Sequence, residues 1–282
     1  MTGWKRYAAT LLACVLGCGS LCLPPAVHAL ALDVQLEQQA GLQYRQLLDQ
    51  ARAKGALAPD GNADLQRLRR IQQRMVPFTF AVNPRARQWQ WEVVLLGSPQ
   101  INAFCMPGGK IAFFSAIITT LKLNDDEIAI VMGHEITHAL KEHGVAQAKN
   151  RAYGDLAARA GGALLSSWLG IDPNLTNLGA RAANGLFQLR FSRGDESEAD
   201  AVGLELAARA GFDPRAGVAL WQKMGQAARG APPQWLSSHP ADRNRIAEIQ
   251  KRLPTVLPLY AQAIGRPVDQ LPPYRTAEIA SR

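Results

Sequence analysis

Apolar residues recur at helical spacing over residues 33 to 53, at Leu36, Ala40, Leu47, Leu48 and Ala51, which predicts a helix. Residues 55 to 65 hold a loop, and Asn62 or Asp64 caps a second helix that ends near Met75. The period then drops to two. Phe78 and Phe80 alternate with Thr79 and Ala81, and Trp89, Trp91, Val93 and Leu95 repeat the pattern. These runs predict strands paired across Asn83-Pro84-Arg85-Ala86-Arg87. A further short strand fits residues 101 to 114, with Gly108-Gly109 turning the chain before Lys110.

From Ser115 the pattern is helical again. One helix covers Ser115 to Leu121. The next opens at Asn124, an N-cap with Glu127 placed for a capping box and Asp125 and Asp126 at the positive dipole end. Gly144 suits the position just past its end. Residues 151 to 190 are rich in Ala, Gly and Leu and predict two helices separated by a break at residues 170 to 177. Another helix follows Ser192, stopped by Gly211, and Pro214 opens one that reaches about Ala228. A loop holds Pro232, Pro233, His239 and Pro240. It leads into a helix of about Asp242 to Arg252. The final segment carries Pro254, Pro258, Pro267, Pro272 and Pro273, and reads as an irregular tail that is draped over the domain or disordered. The fold class is α+β, mainly α.

The first thirty-one residues stand apart. Lys5 and Arg6 precede an apolar run from Tyr7 to Leu23, Pro24 and Pro25 break it, and small-residue cleavage patterns end at Ala29 and Ala31. Residues 1 to 31 therefore read as a cleaved secretory signal, 32 to 253 as the folded domain and 254 to 282 as the tail. Two alternatives remain: a membrane anchor, for which the apolar run is short, and a lipoprotein signal at Val15-Leu16-Gly17-Cys18, which would attach the chain to the outer membrane through Cys18. Cys14, Cys18 and Cys22 leave with the leader. Cys105 then stands alone, so the domain holds no internal disulfide. The net charge of +8 is scattered, without a basic run interleaved with aromatics, and argues against a nucleic-acid reading in favour of a solvated surface, with weak attraction to an anionic membrane face as the second choice.

The chemistry concentrates in Gly133-His134-Glu135-Ile136-Thr137-His138. Two histidines four apart share one helical face and can bind one zinc ion, with Glu135 beside them to take a proton from water. Zinc needs a third protein ligand. A further histidine in the metzincin pattern is ruled out, since Lys141 and Gly144 occupy those positions. His143 is five residues past His138, off the ligand direction, and reads as a cation at the helix C-terminus. Glu196 and Asp200, four apart on another helix, offer a carboxylate ligand and a hydrogen-bond acceptor for a ligand histidine. Glu198 lies roughly 160° from Asp200 around that helix and faces another way. Taken without the histidines, the same acidic run fits a solvated face.

Four segments together carry a resemblance: "NAFCMPGGKIAFFSAII", "DEIAIVMGHEITHALKEH", "FSRGDESEADAVGLELAARAGFDP" and "SSHPADRNRI". In this order, over most of residues 100 to 250, they resemble zinc metallopeptidase family 48, a group that includes heat-shock, CAAX prenyl and periplasmic quality-control proteases. The resemblance implies a zincin fold of gluzincin type, with a small antiparallel sheet beside the active-site helix. It implies one Zn2+ held by His134, His138 and Glu196, with Glu135 as general base and acid and Asp200 as partner of His134. Asn102, Ala103, Phe104, Pro107, Gly108 and Gly109 would form the edge strand that pairs with an extended substrate. His239 and Arg245 match a motif that supports the cleft and the oxyanion. His239 is also placed to act as a fourth ligand that keeps the enzyme latent, or as a loop residue before Pro240. The implied function is an endopeptidase of the bacterial envelope acting on misfolded polypeptides, in the periplasm, with the outer-membrane assembly machinery as a partner. The alternative is a zinc-binding, chaperone-like module that holds chains without cutting. The sequence departs from the family in having no membrane spans after the leader, no helical-repeat domain, and Cys105 at a small-residue position. That thiol reads as a packed side chain or a latent metal ligand.

Overall fold

The structure, a computed structural model, describes residues 25–144, 146, 191–229, 233–240 and 244–278. Most of the expected leader, including Cys14, Cys18 and Cys22, lies outside the described residues, as do the helices expected over 151 to 190 and the expected helix start at Asp242. The chain divides into two units, Met1–Gln35 and Leu36–Arg282, and the second holds the sheet and the histidine motif.

A three-stranded sheet sits between two apolar clusters. Strands β1 (Glu92–Leu96), β2 (Ala103–Met106) and β3 (Lys110–Phe114) lie in the order β1-β3-β2. Alternation along each strand feeds both sides. Val94, Leu96, Met106, Ala112 and Phe114 pack with Ala40, Tyr44 and Ala51 of helix α1 (Pro25–Ala53). Val93, Leu95, Ala103, Ile111 and Phe113 face the main core with Leu65, Leu68, Ile71 and Met75 of helix α2 (Ala63–Val82). A sheet covered on both faces explains why β1 and β3 read as nearly continuous apolar runs.

The sheet is mixed, which corrects the antiparallel expectation: β1 and β3 run parallel, and β2 and β3 antiparallel. The partner expected for β1 does not exist, because α2 does not stop near Met75. It runs through Pro77 to Val82. Its buried positions, Leu65, Leu68, Ile71, Gln72, Met75 and Thr79, keep helical spacing across the proline. The alternation of Phe78 and Phe80 is therefore a helical face seen in part. Gly108 and Gly109, at φ +82° and +78°, make the β2–β3 turn, and a Cβ on Gly109 would stand 2.8 Å from the Trp91 ring.

Beyond the sheet come α3 (Ser115–Thr120) and α4 (Asp125–Leu140). The capping box at Asn124 and Glu127 forms as expected. Every residue of α4 from Glu127 to Leu140 is buried, so this helix runs through the core. Its end differs from expectation. Lys141 is the C-cap, and the left-handed residue after it is Glu142 at φ +56°, not Gly144. Helix α5 (Arg193–Arg209), capped by Ser192 and Asp195, crosses α4 at a glycine pair. A Cβ on Gly133 would stand 2.6 Å from the Gly203 carbonyl oxygen, and one on Gly203 2.7 Å from the His134 amide nitrogen. Only hydrogens at both positions allow this approach.

Helices α6 (Ala216–Ala227), α7 (Trp235–Ser238) and α8 (Arg245–Ala263) complete the described α-helices. Helix α8 continues through Pro254 and Pro258, past the end expected near Arg252. Neither proline is buried, whereas Val256 and Ala261 are, so the carbonyls that lose a helical partner face water. The last described residues do lie over the domain. Asn124 donates to the Tyr274 hydroxyl at 3.0 Å, and Thr276 donates to Glu127. Glu127 also receives the buried Lys223 ammonium at 2.8 Å.

Candidate metal centre

Helix α4 supplies two imidazoles to one point. His134 and His138 are 2% and 4% exposed, with their Nε2 atoms 3.1 Å apart. The close crossing at Gly133 and Gly203 brings the first turns of α5 alongside. Glu196 Oε1 lies 3.4 Å from His138 Nε2, and Glu196 Oε2 lies 3.6 Å from His134 Nε2. His239, at the end of α7, places Nδ1 3.2 Å from His134 Nε2 and 2.8 Å from Glu196 Oε1. One atom from each of these four buried residues lies within 4.8 Å of the others.

The donor set suits zinc. A tetrahedron with metal–nitrogen bonds of 2.0–2.1 Å separates its ligand atoms by about 3.3 Å, close to the spacings seen here. Protons support the same reading. His134 Nδ1 lies 3.0 Å from Asp200 Oδ1 and donates to it, so His134 Nε2 is left with a bare lone pair. Burial holds His138 neutral, well below its ordinary pKa, with His134 and His239 acting in the same sense against Glu196. Burial opposes the charge of Glu196, yet His134, His138 and His239 outweigh it and hold that carboxylate ionised. With a zinc ion bound, the protons shared with Glu196 would leave, and nitrogen lone pairs and one negative charge would converge on the metal.

Glu135 sits next to this cluster, 2% exposed, and its Oε1 accepts the Trp235 indole N–H at 2.6 Å. His239 Nε2 is 3.6 Å from the same oxygen. Asp200 and Glu196 are locked from behind by Arg245. Its Nη1 donates to Glu196 Oε2, while Nε and Nη2 grip Asp200. Its guanidinium carbon stands 3.7 Å from the centre of the Trp221 ring. Nη2 also comes within 3.2 Å of His134 Nδ1, but both are donors, and Asp200 Oδ1 is the acceptor they share. Burial raises the Asp200 carboxyl, and Arg245 and His134 more than reverse it, leaving its pKa low. The donors of Arg245 are thus committed to two carboxylates, Glu196 and Asp200.

The edge-strand residues divide. Ala103 and Phe104 belong to β2, an outer strand of the sheet that packs against α4, and Asn102 precedes it, fully buried. Pro107, Gly108 and Gly109 form the turn to β3 and are not part of the edge. The Phe114 amide donates to Asn102 O, so residues 102, 104 and 106 face β3, and 101, 103 and 105 face outward. Ile101 O is already taken by the Trp235 amide at 3.1 Å, and the Ala103 amide donates to its neighbour's Asn102 Oδ1. Cys105 is not among the four donors. Desolvation, and then the nearby Glu135, push its thiol well above the ordinary value, so it stays protonated.

Two residues at the site carry no spacing signal in the sequence. Trp235 grips Glu135, and Phe191 stacks on His138 with ring centres 3.8 Å apart. No spacing rule relates either to the histidine motif. His143, expected at the C-terminal end of the helix, is 6% exposed and stands 2.9 Å from His138.

Comparison with known sequences accords with this geometry. The profile described as Peptidase family M48 matches residues 62–253. The chain belongs to that family. As a family M48 member it carries a zinc metallopeptidase domain, mainly helical with a small sheet. The mitochondrial metalloendopeptidase OMA1 of Arabidopsis thaliana is 38% identical over 158 residues, 55% of this chain and 30% of that protein. The OMA1 protein of Saccharomyces cerevisiae is 34% identical over 187 residues, 62% of this chain and 50% of its own. The beta-barrel assembly-enhancing protease of Escherichia coli (strain K12) is 30% identical over 175 residues, 60% of this chain and 36% of its own. This M48 chain thus spans half or less of the length of these curated relatives. Among its described residues no helix is long and apolar enough to cross a membrane.

Proposed function

We propose that this chain is a zinc-dependent endopeptidase, with His134, His138 and Glu196 as the metal ligands and Glu135 as general base and acid. One observation carries the reading: four buried donor atoms lie within 4.8 Å of one another, with the Glu135 carboxyl group beside them. Zinc at this point supplies a Lewis acid that polarises a carbonyl and brings the pKa of water to about 7. The protein does the rest. Asp200, fixed by Arg245, sets the tautomer of His134. Glu135 takes the proton from the attacking water and returns it to the leaving amine. Strand β2 holds the substrate extended by backbone pairing.

His239 occupies the fourth donor position and Trp235 holds Glu135, which supports a resting state closed to substrate. Activity requires His239 to withdraw, since a catalytic zinc keeps one open position. The leader pattern of residues 1 to 31 and the similarity to the Escherichia coli protease support a place in a bacterial envelope, with misfolded polypeptides as substrates and the outer-membrane assembly machinery as partner. On this reading residues 32 to 253 are the catalytic domain and 254 to 282 its tail.

The test pairs zinc content with casein cleavage in the wild type, Glu135→Gln and His239→Ala. One zinc in each, cleavage by the wild type or by His239→Ala, and none by Glu135→Gln are the expected results. Zinc without cleavage in all three would favour a chaperone-like holder. Absence of zinc in the wild type would refute the site.

A further inference from the structure

His143 has no part in the proposed reaction, yet it is buried against a proposed metal ligand. Its Nδ1 lies 2.9 Å from His138 Nδ1, and its Nε2 lies 3.1 Å from Glu198 Oε2. Proton counting orients the chain of bonds. His138 Nε2 points at the other three donors; with zinc on it that nitrogen would carry no proton, and Nδ1 would carry the one hydrogen of the neutral ring. That N–H donates to His143 Nδ1. The proton of His143 then sits on Nε2 and is donated to Glu198. Lys141 Nζ, 2.7 Å from Glu198 Oε1, holds the other oxygen of the same carboxylate, and Asp195 Oδ1 stands 3.9 Å from His143 Nε2.

The backbone is bent to make this contact. On an uninterrupted helix, residues five apart point about 140° away from one another, so His143 could not reach His138. Helix α4 stops at Leu140, and Glu142 at φ +56° swings the next residue back beneath the histidine. A left-handed conformation is unfavourable for a residue with a side chain, and such strain persists where surrounding structure imposes it. Here the Glu142 carboxylate is held by Arg85 at 2.9 Å, and Arg85 is held in turn by Glu37 at 2.5 Å.

We propose that His143 is a positioning residue for the metal: it is the acceptor that fixes the tautomer and ring orientation of His138, and Glu198 is its anchor. Each ligand histidine then has an outer partner, Asp200 for His134 and His143 for His138. The inference rests on the zinc reading of the site and assigns His143 no contact with substrate.

The experiment is zinc affinity of the full chain by chelator competition, beside the melting temperature of the metal-stripped protein. His143→Leu removes the acceptor and should weaken zinc about 10- to 100-fold. His143→Asn keeps an acceptor oxygen near the Nδ1 position and should recover most of that loss. A purely structural role would instead lower the metal-free melting temperature and leave the two variants alike in affinity. Glu198→Gln, at a half-exposed position, provides a variant that spares the core. It should weaken zinc less than His143→Leu does, and add little in the His143→Leu background. Wild-type affinity in His143→Leu, equal losses in Leu and Asn, or additive losses with Glu198→Gln would each overturn the proposal. A wild type that binds no zinc while Glu196→Gln changes nothing would instead refute the metal reading on which it rests.

Discussion

Gly203→Ala is the most direct test of how the fold builds the site. The added Cβ would stand 2.7 Å from His134 N, 2.8 Å from Gly133 C and 3.0 Å from Gly133 O. Carbon rests against such atoms at about 3.5 Å, so helices α4 and α5 must part by about 0.7 Å. The contacts are backbone on backbone, with no side chain to rotate aside. Overpacking of this kind costs about 3 kcal/mol, and the better helix propensity of alanine returns about 1. The net loss is about 2 kcal/mol, or a melting temperature lower by roughly 4–8 °C for a domain of this size. The same displacement would stretch the 3.0 Å bond from His134 to Asp200 toward about 3.7 Å, where it is no longer a hydrogen bond. Zinc affinity should therefore fall about tenfold or more along with stability. Gly225→Ala is the control, because nothing lies within 4 Å of its Cβ position in α6, and it should raise the melting temperature. Calorimetry and chelator competition on both variants decide. A Gly203→Ala protein that melts like Gly225→Ala and keeps wild-type zinc affinity would refute the close-crossing argument.

Three further outcomes are expected. Lys223→Met leaves Glu127, fully buried, without its cation, and should cost about 3–5 kcal/mol in denaturant titration; Glu127→Gln in the same chain should restore part of it. Stripped of metal, the protein should lose stability as pH falls below 6.5, the ordinary pKa of the group, because burial depresses the folded pKa of His138 and the unfolded chain takes up the proton first. Melting curves across that range check the sign, and greater stability at lower pH would contradict it. Tyr274→Phe removes the hydroxyl that meets Asn124 and should cost about 1 kcal/mol, with zinc affinity unchanged.

Local signals were legible in the sequence because their causes are local. The capping box at Asn124 and Glu127, the glycine turn at Gly108-Gly109 and the stop at Gly211 each depend on neighbours in the chain. The helical spacing of His134 with His138, and of Glu196 with Asp200, likewise set which side chains share a face. Misreadings arose where tertiary surroundings overrode a local cue. Pro77, Pro254 and Pro258 look like helix ends, but α2 keeps its buried stripe and α8 turns its prolines to water. The place of His143 depends on the backbone angle of Glu142, which the periodicity of the sequence does not encode. Trp235 and Phe191 reach the site from outside the motif helices. The fully buried Glu127 and its lysine partner are joined across almost a hundred residues.

Strand β2 has a consequence for what such a protease could select. Of its outward backbone groups, Ile101 O and the Ala103 amide are engaged within the chain and Ala103 is itself buried, which leaves the two groups of the partly exposed Cys105 facing out. Two hydrogen bonds at about 0.5–1.5 kcal/mol each make a weak grip. A grip made of backbone alone is also blind to side chains. Discrimination would then rest on dwell time: a natively folded protein cannot offer an extended segment long enough to be cut, whereas a chain that has failed to fold offers many in succession.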